Sequence, residues 1–314
     1  MLFEIGSVIV GLILLIVGAD SLIRGSSGLA LRFGISSLVV GLTVVAFGTS
    51  APELVVSLNA AMRGNGQIAL GNVIGSNIAN IALILGLSAL INPIQTQAQL
   101  IRRDVPIMIL MTVVLVLMLT NGVLGRWEGT ILFLVLIGYV GSTVYLSQRE
   151  RNEAVRETFQ QAVPVQPRKP IILLILTLLG LGLLVLGAHL FVKGAVDLAR
   201  RLAVSDALIG LTLVALGTSL PELATTVVAS LQHKNDIAVG NVIGSNIFNI
   251  LCVLGLTVAI SPFAVEGFSV IDLGVMLVTV MLLFPLVRSG FVLSRWEGGL
   301  LLAIYVGYMW YLLR

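Results

Sequence analysis

The sequence predicts an all-α polytopic membrane protein: ten transmembrane helices in two inverted five-helix repeats, with broken helices around a mid-membrane site. The first observation is composition. Of 314 residues, 58% are hydrophobic and 11% charged, and mean hydropathy is +1.09, whereas a water-soluble surface needs roughly a quarter charged side chains. The second is run length, since the apolar stretches approach or exceed the ~20 residues of a spanning helix and not the ~10 of a barrel strand. The third is a repeat. GLTVVAFGTSAPELVVSLNAAMRGNGQIALGNVIGSNIAN from Gly41 returns from Gly210 as GLTLVALGTSLPELATTVVASLQHKNDIAVGNVIGSNIFN, so that Gly41, Thr49, Glu53, Asn72, Ser76 and Asn80 reappear 169 positions later as Gly210, Thr218, Glu222, Asn241, Ser245 and Asn249.

In chain order, the first half reads as spans over Leu2 to Leu22, Ser36 to Met62, Gln67 to Ile91, Val105 to Leu119 and Trp127 to Leu146. Met1 to Ala19 lacks the basic start of a signal peptide and is followed by further spans, so it is expected to be the first transmembrane helix. The second half gives Ile171 to Val192, Ser205 to Leu231, Ile237 to Ile260, Val270 to Val287 and Trp296 to Leu313. The domains are therefore 1–146, a charged, Gln- and Pro-rich linker over 147–170, and 171–314. Outside the central motif the halves also match at GRWEG and SRWEG, INP and ISP, and Gly18-Ala19 and Gly187-Ala188. An odd number of spans per repeat inverts the second copy relative to the first, as in secondary transporters.

Charge sets the expected orientation. Loops after the odd-numbered spans hold 12 of the 18 Lys and Arg, which puts the linker in the cytoplasm and both termini outside the plasma (inner) membrane of a prokaryote. A formal net charge of +3 gives no reason to expect nucleic acid. Arg126-Trp127-Glu128 and Arg295-Trp296-Glu297 read as interfacial anchors. The single cysteine, Cys252, has no disulfide partner and is expected only to pack. Lipid-facing and subunit-facing apolar surfaces read alike, and a monomer is the expectation carried forward.

Glu53 and Glu222 are the acids placed near mid-bilayer; Glu4, Asp20, Asp104 and Asp236 are placed at span ends or in loops. A charge at that depth carries an insertion penalty of roughly 3 kcal/mol and needs a partner, a water path or a cation. No mid-membrane Arg or Lys offers itself, and two carboxylates together repel unless protonated or bridged. Thr49 and Glu53 share a helix face, as do Thr218 and Glu222. Pro52 and Pro221 break the backbone beside them, which is expected to free carbonyls near Ala46 and Ala215. Irregular backbone at this depth lines a site or is buried in protein. Asn72, Ser76 and Asn80 form a polar stripe at i, i+4 and i+8, repeated by Asn241, Ser245 and Asn249. Asn77 and Asn246 face roughly 100° away and read as structural, while Asn72 and Asn241 suit a vestibule or a cap. His189 and His233 lie near span ends or loops, away from this set. Oxygen donors without thiolate or imidazole suit Ca²⁺ and Na⁺ better than zinc or copper. The plainer account is a proline kink with a hydrogen-bonded Glu, which must then occur twice together with both Asn stripes.

GTSAPE at Gly48 to Glu53 with GNVIGSNIANI at Gly71 to Ile81, repeated as GTSLPE and GNVIGSNIFNI, resembles the α-repeats of the Ca²⁺/cation antiporter superfamily, most closely the prokaryotic Na⁺/Ca²⁺ exchangers. The resemblance covers nearly the whole chain. It implies secondary antiport without a cofactor, three Na⁺ per Ca²⁺, a core of the second, third, seventh and eighth helices, and long, tilted first and sixth helices that slide past it. It also implies that Glu53 and Glu222 hold Ca²⁺ with Thr49 and Thr218, and that Ser50, Ser76, Ser219, Ser245 and the carbonyls of Ala46 and Ala215 serve flanking Na⁺ sites. Asn80 resembles the family's central amide; Asn249 stands where some prokaryotic exchangers carry Asp. A H⁺/Ca²⁺ antiporter of the same fold, a K⁺-dependent exchanger and a cation channel are the alternatives. No nucleophile and base pair points to an enzyme.

Overall fold

The structure, a computed structural model, describes residues 2–149, 169–202, 215–265 and 269–313. Its regular elements are α1 (Leu2–Phe33), α2 (Ser37–Thr49), α3 (Ala51–Met62), α4 (Gly66–Ile91), β1 (Ile94–Gln95), α5 (Val105–Leu119), β2 (Val123–Leu124) and α6 (Arg126–Arg149). After residues 150–168 come α7 (Pro170–Arg201), α8 (Leu220–Leu231), α9 (Asn235–Ile260), β3 (Phe263–Ala264), α10 (Val270–Arg288), β4 (Val292–Leu293) and α11 (Arg295–Leu312). Among the described residues six helices are long and apolar enough to cross a membrane, and the pair α2 and α3, bent by 43°, makes a seventh. The other expected spans fall short for stated reasons. The 15-residue α5 is preceded by Arg102, Arg103 and Asp104, and α11 opens on Arg-Trp-Glu. The first part of the expected span before α8 lies outside the described residues.

Two helices are longer than their apolar runs. Both α1 and α7 contain 32 residues, so at ~1.5 Å per residue each exceeds a ~30 Å hydrocarbon core. Asp20 therefore sits within α1 and not at a helix end; it pairs with Arg24 one turn on and accepts from Gln232 at 2.8 Å. The two long helices run antiparallel in close contact. A Cβ on Gly11 would meet Gly187 and Phe191, and one on Gly18 would meet Gly180 and Leu184. Small residues let helices approach this closely, which compensates for the lack of a hydrophobic driving force between helices in lipid.

The two halves exchange contacts reciprocally. Ile94 pairs with Leu293 in β1–β4, and Leu124 with Phe263 in β2–β3, so each short ribbon joins one strand from each half. Gly86 of α4 packs backbone to backbone on Gly298 of α11, and Gly255 of α9 does the same on Gly129 of α6. Asn92 Nδ2 donates to Ser230 O and Ser261 Oγ donates to Ala61 O. The residues of each such pair are 169 positions from their counterparts. The main core lies along α4 and α9, which are buried over most of their length and widen into π-helix at Ala79–Leu85 and Asn249–Leu254. Cys252 is buried within that second stretch, and Trp127 and Trp296 point outward.

Candidate functional site

Ser50, with φ −81° and ψ 4°, ends α2 and opens α3, and Ser219, with φ −87° and ψ 6°, does the same before α8. Both lie in the sparsely used bridge region. Pro52 and Pro221 fall in the first turns of new helices, where the missing N–H would have no intrahelical partner anyway. The expected kink inside one helix is thus a stop and a restart. Glu53 and Glu222 consequently occupy first turns, where the helix dipole favours negative charge.

Each acid is served by the other half. Ser50 Oγ donates to Glu222 Oε1 at 3.0 Å, and Ser219 Oγ donates to Glu53 Oε1 at 3.2 Å. Ser245 Oγ lies 3.5 Å from the same Glu222 oxygen, and Ser76 Oγ lies 3.3 Å from Ser219 Oγ. Thr49 Oγ1 is 3.1 Å from Asn241 Oδ1 and 3.4 Å from Ser245 Oγ; Thr218 Oγ1 is 3.3 Å from Asn72 Oδ1. Two reciprocal clusters result, one around each Glu. Both Glu side chains are 0% exposed. The ion pairs among the described residues, Asp20–Arg24 and Glu4–Arg201, involve neither.

Asn72 and Asn241 are ties rather than caps. Asn72 Nδ2 donates to Glu53 O at 3.3 Å and Ser57 Oγ at 3.0 Å; Asn241 Nδ2 donates to Glu222 O at 3.4 Å and Thr226 Oγ1 at 3.0 Å. With its Oδ1 taking the threonine of the opposite half, each amide fixes three groups at once. Ser57 and Thr226 escape the sequence reading, although both stand four residues after a Glu, on its face. Asn77, expected to be structural, accepts through its Oδ1 from Asn249 Nδ2 at 3.1 Å across the halves. Asn246 bonds its own helix at Val242 O. The carbonyl of Ala46 is not freed as expected, since it accepts from Ser50 N at 3.0 Å and lies 3.3 Å from Thr49 Oγ1. In the second half Ser219 N donates to Leu216 O at 3.1 Å.

Several buried polar atoms here make no hydrogen bond among the described residues. They are Oε2 of both Glu53 and Glu222, both amide atoms of Asn80, Oδ1 of Asn249 and Asn246, and Nδ2 of Asn77. Unpaired polar atoms in a dry interior each cost on the order of 1–3 kcal/mol. Most of those named are oxygens, including one on each of the two acids. No group of three His, Cys, Asp or Glu occurs among the described residues, so a cation here would take two carboxylates with neutral hydroxyl and amide oxygens.

The model of the sodium/calcium exchanger protein family matches twice, over residues 3–145 and 172–314. The chain belongs to the sodium/calcium exchanger family. It is 41% identical over 97% of both chains to CaxA of Alkalimonas amylolytica, and 34% identical over 96% of both chains to the sodium/calcium exchanger MaX1 of Methanosarcina acetivorans. Among solved structures, the sodium-calcium exchanger NCX_Mj, soaked with zero Na⁺ and Ca²⁺, superimposes with TM-score 0.84 at 34% identity over 99% of each chain. As a family member the chain is a multi-pass transporter, and its reciprocal clusters lie on the two sequence copies that carry the family match.

Proposed function

We propose that this chain is a secondary active antiporter that exchanges Na⁺ for Ca²⁺ by alternating access. The observation that carries this is the reciprocal pairing of Ser50 with Glu222 and Ser219 with Glu53, each acid keeping one buried oxygen without a hydrogen-bond partner among the described residues. Glu53 and Glu222 hold Ca²⁺, with Thr49 and Thr218 as neutral ligands and Asn80 and Asn249 between them. Ser50, Ser219, Ser76 and Ser245 serve Na⁺ on either side, with the backbone at Ala46 and Ala215 near them. A hydroxyl can ligate a cation only through its lone pairs, so its proton must go elsewhere. The protons of Ser50, Ser219 and Ser245 go to carboxylate oxygens and the threonine protons to Asn72 and Asn241, which turns the lone pairs inward. Ca²⁺ and several Na⁺ compete for the same two charges, and that competition makes the movement an exchange.

The architecture that fits is ten spans, with inverted repeats over 1–146 and 171–314 joined by the cytoplasmic segment 147–170, both termini outside, in a monomer. The antiparallel contact of α1 with α7, the reciprocal ribbons and the two family matches support the inverted repeats, and the charge distribution is the ground for the orientation. Purified protein in Na⁺-loaded vesicles should take up ⁴⁵Ca²⁺ only while an outward Na⁺ gradient exists. Equal uptake driven by a pH gradient without Na⁺ would transfer the assignment to a proton antiporter, and flux without any counter-ion would make it a channel.

A further inference from the structure

A cavity of about 450 Å³ opens between the start of α5 and the end of α10, lined by Ile101, Arg102, Pro106, Phe284, Arg288 and Phe291. It lies outside the ion site and at the ends of apolar helices, where a membrane protein meets headgroups. Arg288 belongs to the last turn of α10 and stacks over Phe284 at 5.8 Å. Arg102 approaches from the π-helical turn that leads into α5. Neither guanidinium takes part in an ion pair among the described residues. Two cations thus share an otherwise apolar pocket.

The internal repeat supplies a control. Counting 169 positions across the halves, the equivalents of Arg102, Arg288, Phe284 and Phe291 are Ile271, Leu119, Leu115 and Gly122. Both charges and both aromatics are therefore confined to one end of the molecule. Phe291 is the more telling member. It has φ 58°, and its counterpart Gly122 has φ 72° in a turn with the same hydrogen bond, Phe291 O accepting from Thr96 N and Gly122 O from Val265 N. The turn needs a left-handed residue, which glycine supplies freely and phenylalanine only with strain. A bulky ring is tolerated here against backbone preference, and it forms a wall of the cavity.

We propose that this cavity binds an anionic phospholipid, with the phosphate held between Arg102 and Arg288 and an acyl chain lying along Ile101, Pro106, Phe284 and Phe291. Guanidinium groups match phosphate oxygens in geometry and charge, and basic pockets between transmembrane helices suit anionic headgroups. Four apolar lining residues beside two cations favour a lipid over a free anion. The lipid would join α5 to α10, which pack on the site helices α9 and α4 respectively.

The test is native mass spectrometry of the full chain after equilibration with phosphatidylglycerol or phosphatidylcholine. Wild type should retain phosphatidylglycerol at least tenfold better than phosphatidylcholine. Arg102→Gln with Arg288→Gln should reduce retention to the phosphatidylcholine level, and Phe291→Gly, which relieves the strained turn and adds no charge, should weaken it several-fold. Both variants should keep Na⁺-driven Ca²⁺ uptake in phosphatidylcholine vesicles, which shows that they are folded. Undiminished phosphatidylglycerol retention by the double variant, equal retention of both lipids by wild type, or displacement of the lipid by millimolar inorganic phosphate would each overturn the proposal.

Discussion

Asn241 touches the proposed ion site through the Thr49 hydroxyl and the Glu222 backbone, and substitution can test whether the hydroxyl is the route that matters. Its Oδ1 lies 3.1 Å from Thr49 Oγ1, while its Nδ2 holds Glu222 O at 3.4 Å and Thr226 Oγ1 at 3.0 Å. Asn241→Leu keeps the volume and removes all three bonds. At a net ~0.5–1.5 kcal/mol each, stability should fall by about 2–3 kcal/mol, the longest bond counting least. The part that concerns transport is smaller. Without Asn241 the Thr49 proton turns to Ala46 O or Ser245 Oγ, 3.3 and 3.4 Å away, and one bond of about 1 kcal/mol no longer fixes the lone pairs. That corresponds to roughly a fivefold rise in the Ca²⁺ concentration for half-maximal uptake. The assay is ⁴⁵Ca²⁺ uptake into Na⁺-loaded vesicles by wild type, Thr49→Val, Asn241→Leu and the double variant. If Asn241 acts through the hydroxyl, its loss should cost fivefold when Thr49 is present and almost nothing in the Thr49→Val background, a coupling of about 1 kcal/mol. Equal costs in both backgrounds would refute the lone-pair argument and leave Asn241 a structural tie.

Glu53→Ala and Glu222→Ala should each abolish exchange while leaving membrane insertion intact, and each should abolish the rise in melting temperature that saturating Ca²⁺ produces. In wild type that rise corresponds to about 2.7 kcal/mol at a hundredfold excess over Kd; retained exchange in either variant would remove the two-carboxylate site. In Gly180→Ala the new methyl would stand 2.5 Å from Leu22 N, which forces α1 and α7 apart. Transport rate should fall at least tenfold with Ca²⁺-dependent stabilisation kept, and an unchanged rate would show that this contact does not move or hold during transport. His233 has φ 58° in the turn between α8 and α9, where the repeat has Gly64 at φ 80°. His233→Gly should therefore raise stability by about 0.5–1 kcal/mol in thermal unfolding, since the strain relieved slightly exceeds the chain entropy added.

The acids, their threonines and the asparagine stripes are legible in the sequence because α-helical spacing reports which side chains share a face. Spacing cannot report what that face meets. Ser50 stands three residues from Glu53 yet serves Glu222, and only the folded chain reveals the exchange. That exchange explains why the motif must occur twice: losing one copy's serine leaves the other copy's carboxylate with one hydrogen bond fewer. Asn77 departs from expectation for a different reason. The stripe argument assumes an α ladder, and the ladder widens at Ala79–Leu85 and Asn249–Leu254, a change in hydrogen bonding that no apolar pattern encodes. The lengths of α1 and α7 are hidden by Arg24 and Lys193, charges that end an apolar run without ending a helix.

The deepest limit on what sequence can tell lies at Asn80 and Asn249. They are equivalent in the repeat, but Asn249 donates to Asn77 while Asn80 bonds to nothing among the described residues, and the matching partner, Asn246 Oδ1, is also unpaired. An inverted repeat that alternates access opens to one face by holding its two halves in different conformations. Sequence symmetry describes the site averaged over both states, whereas the unequal amides describe one of them. In the other state the bond should pass to Asn80 and Asn246, so Asn77→Ala and Asn246→Ala should shift the balance between the two facing states in opposite directions. Cysteine accessibility from the two membrane faces would measure that shift, and equal shifts in the same direction would show that these amides only pack.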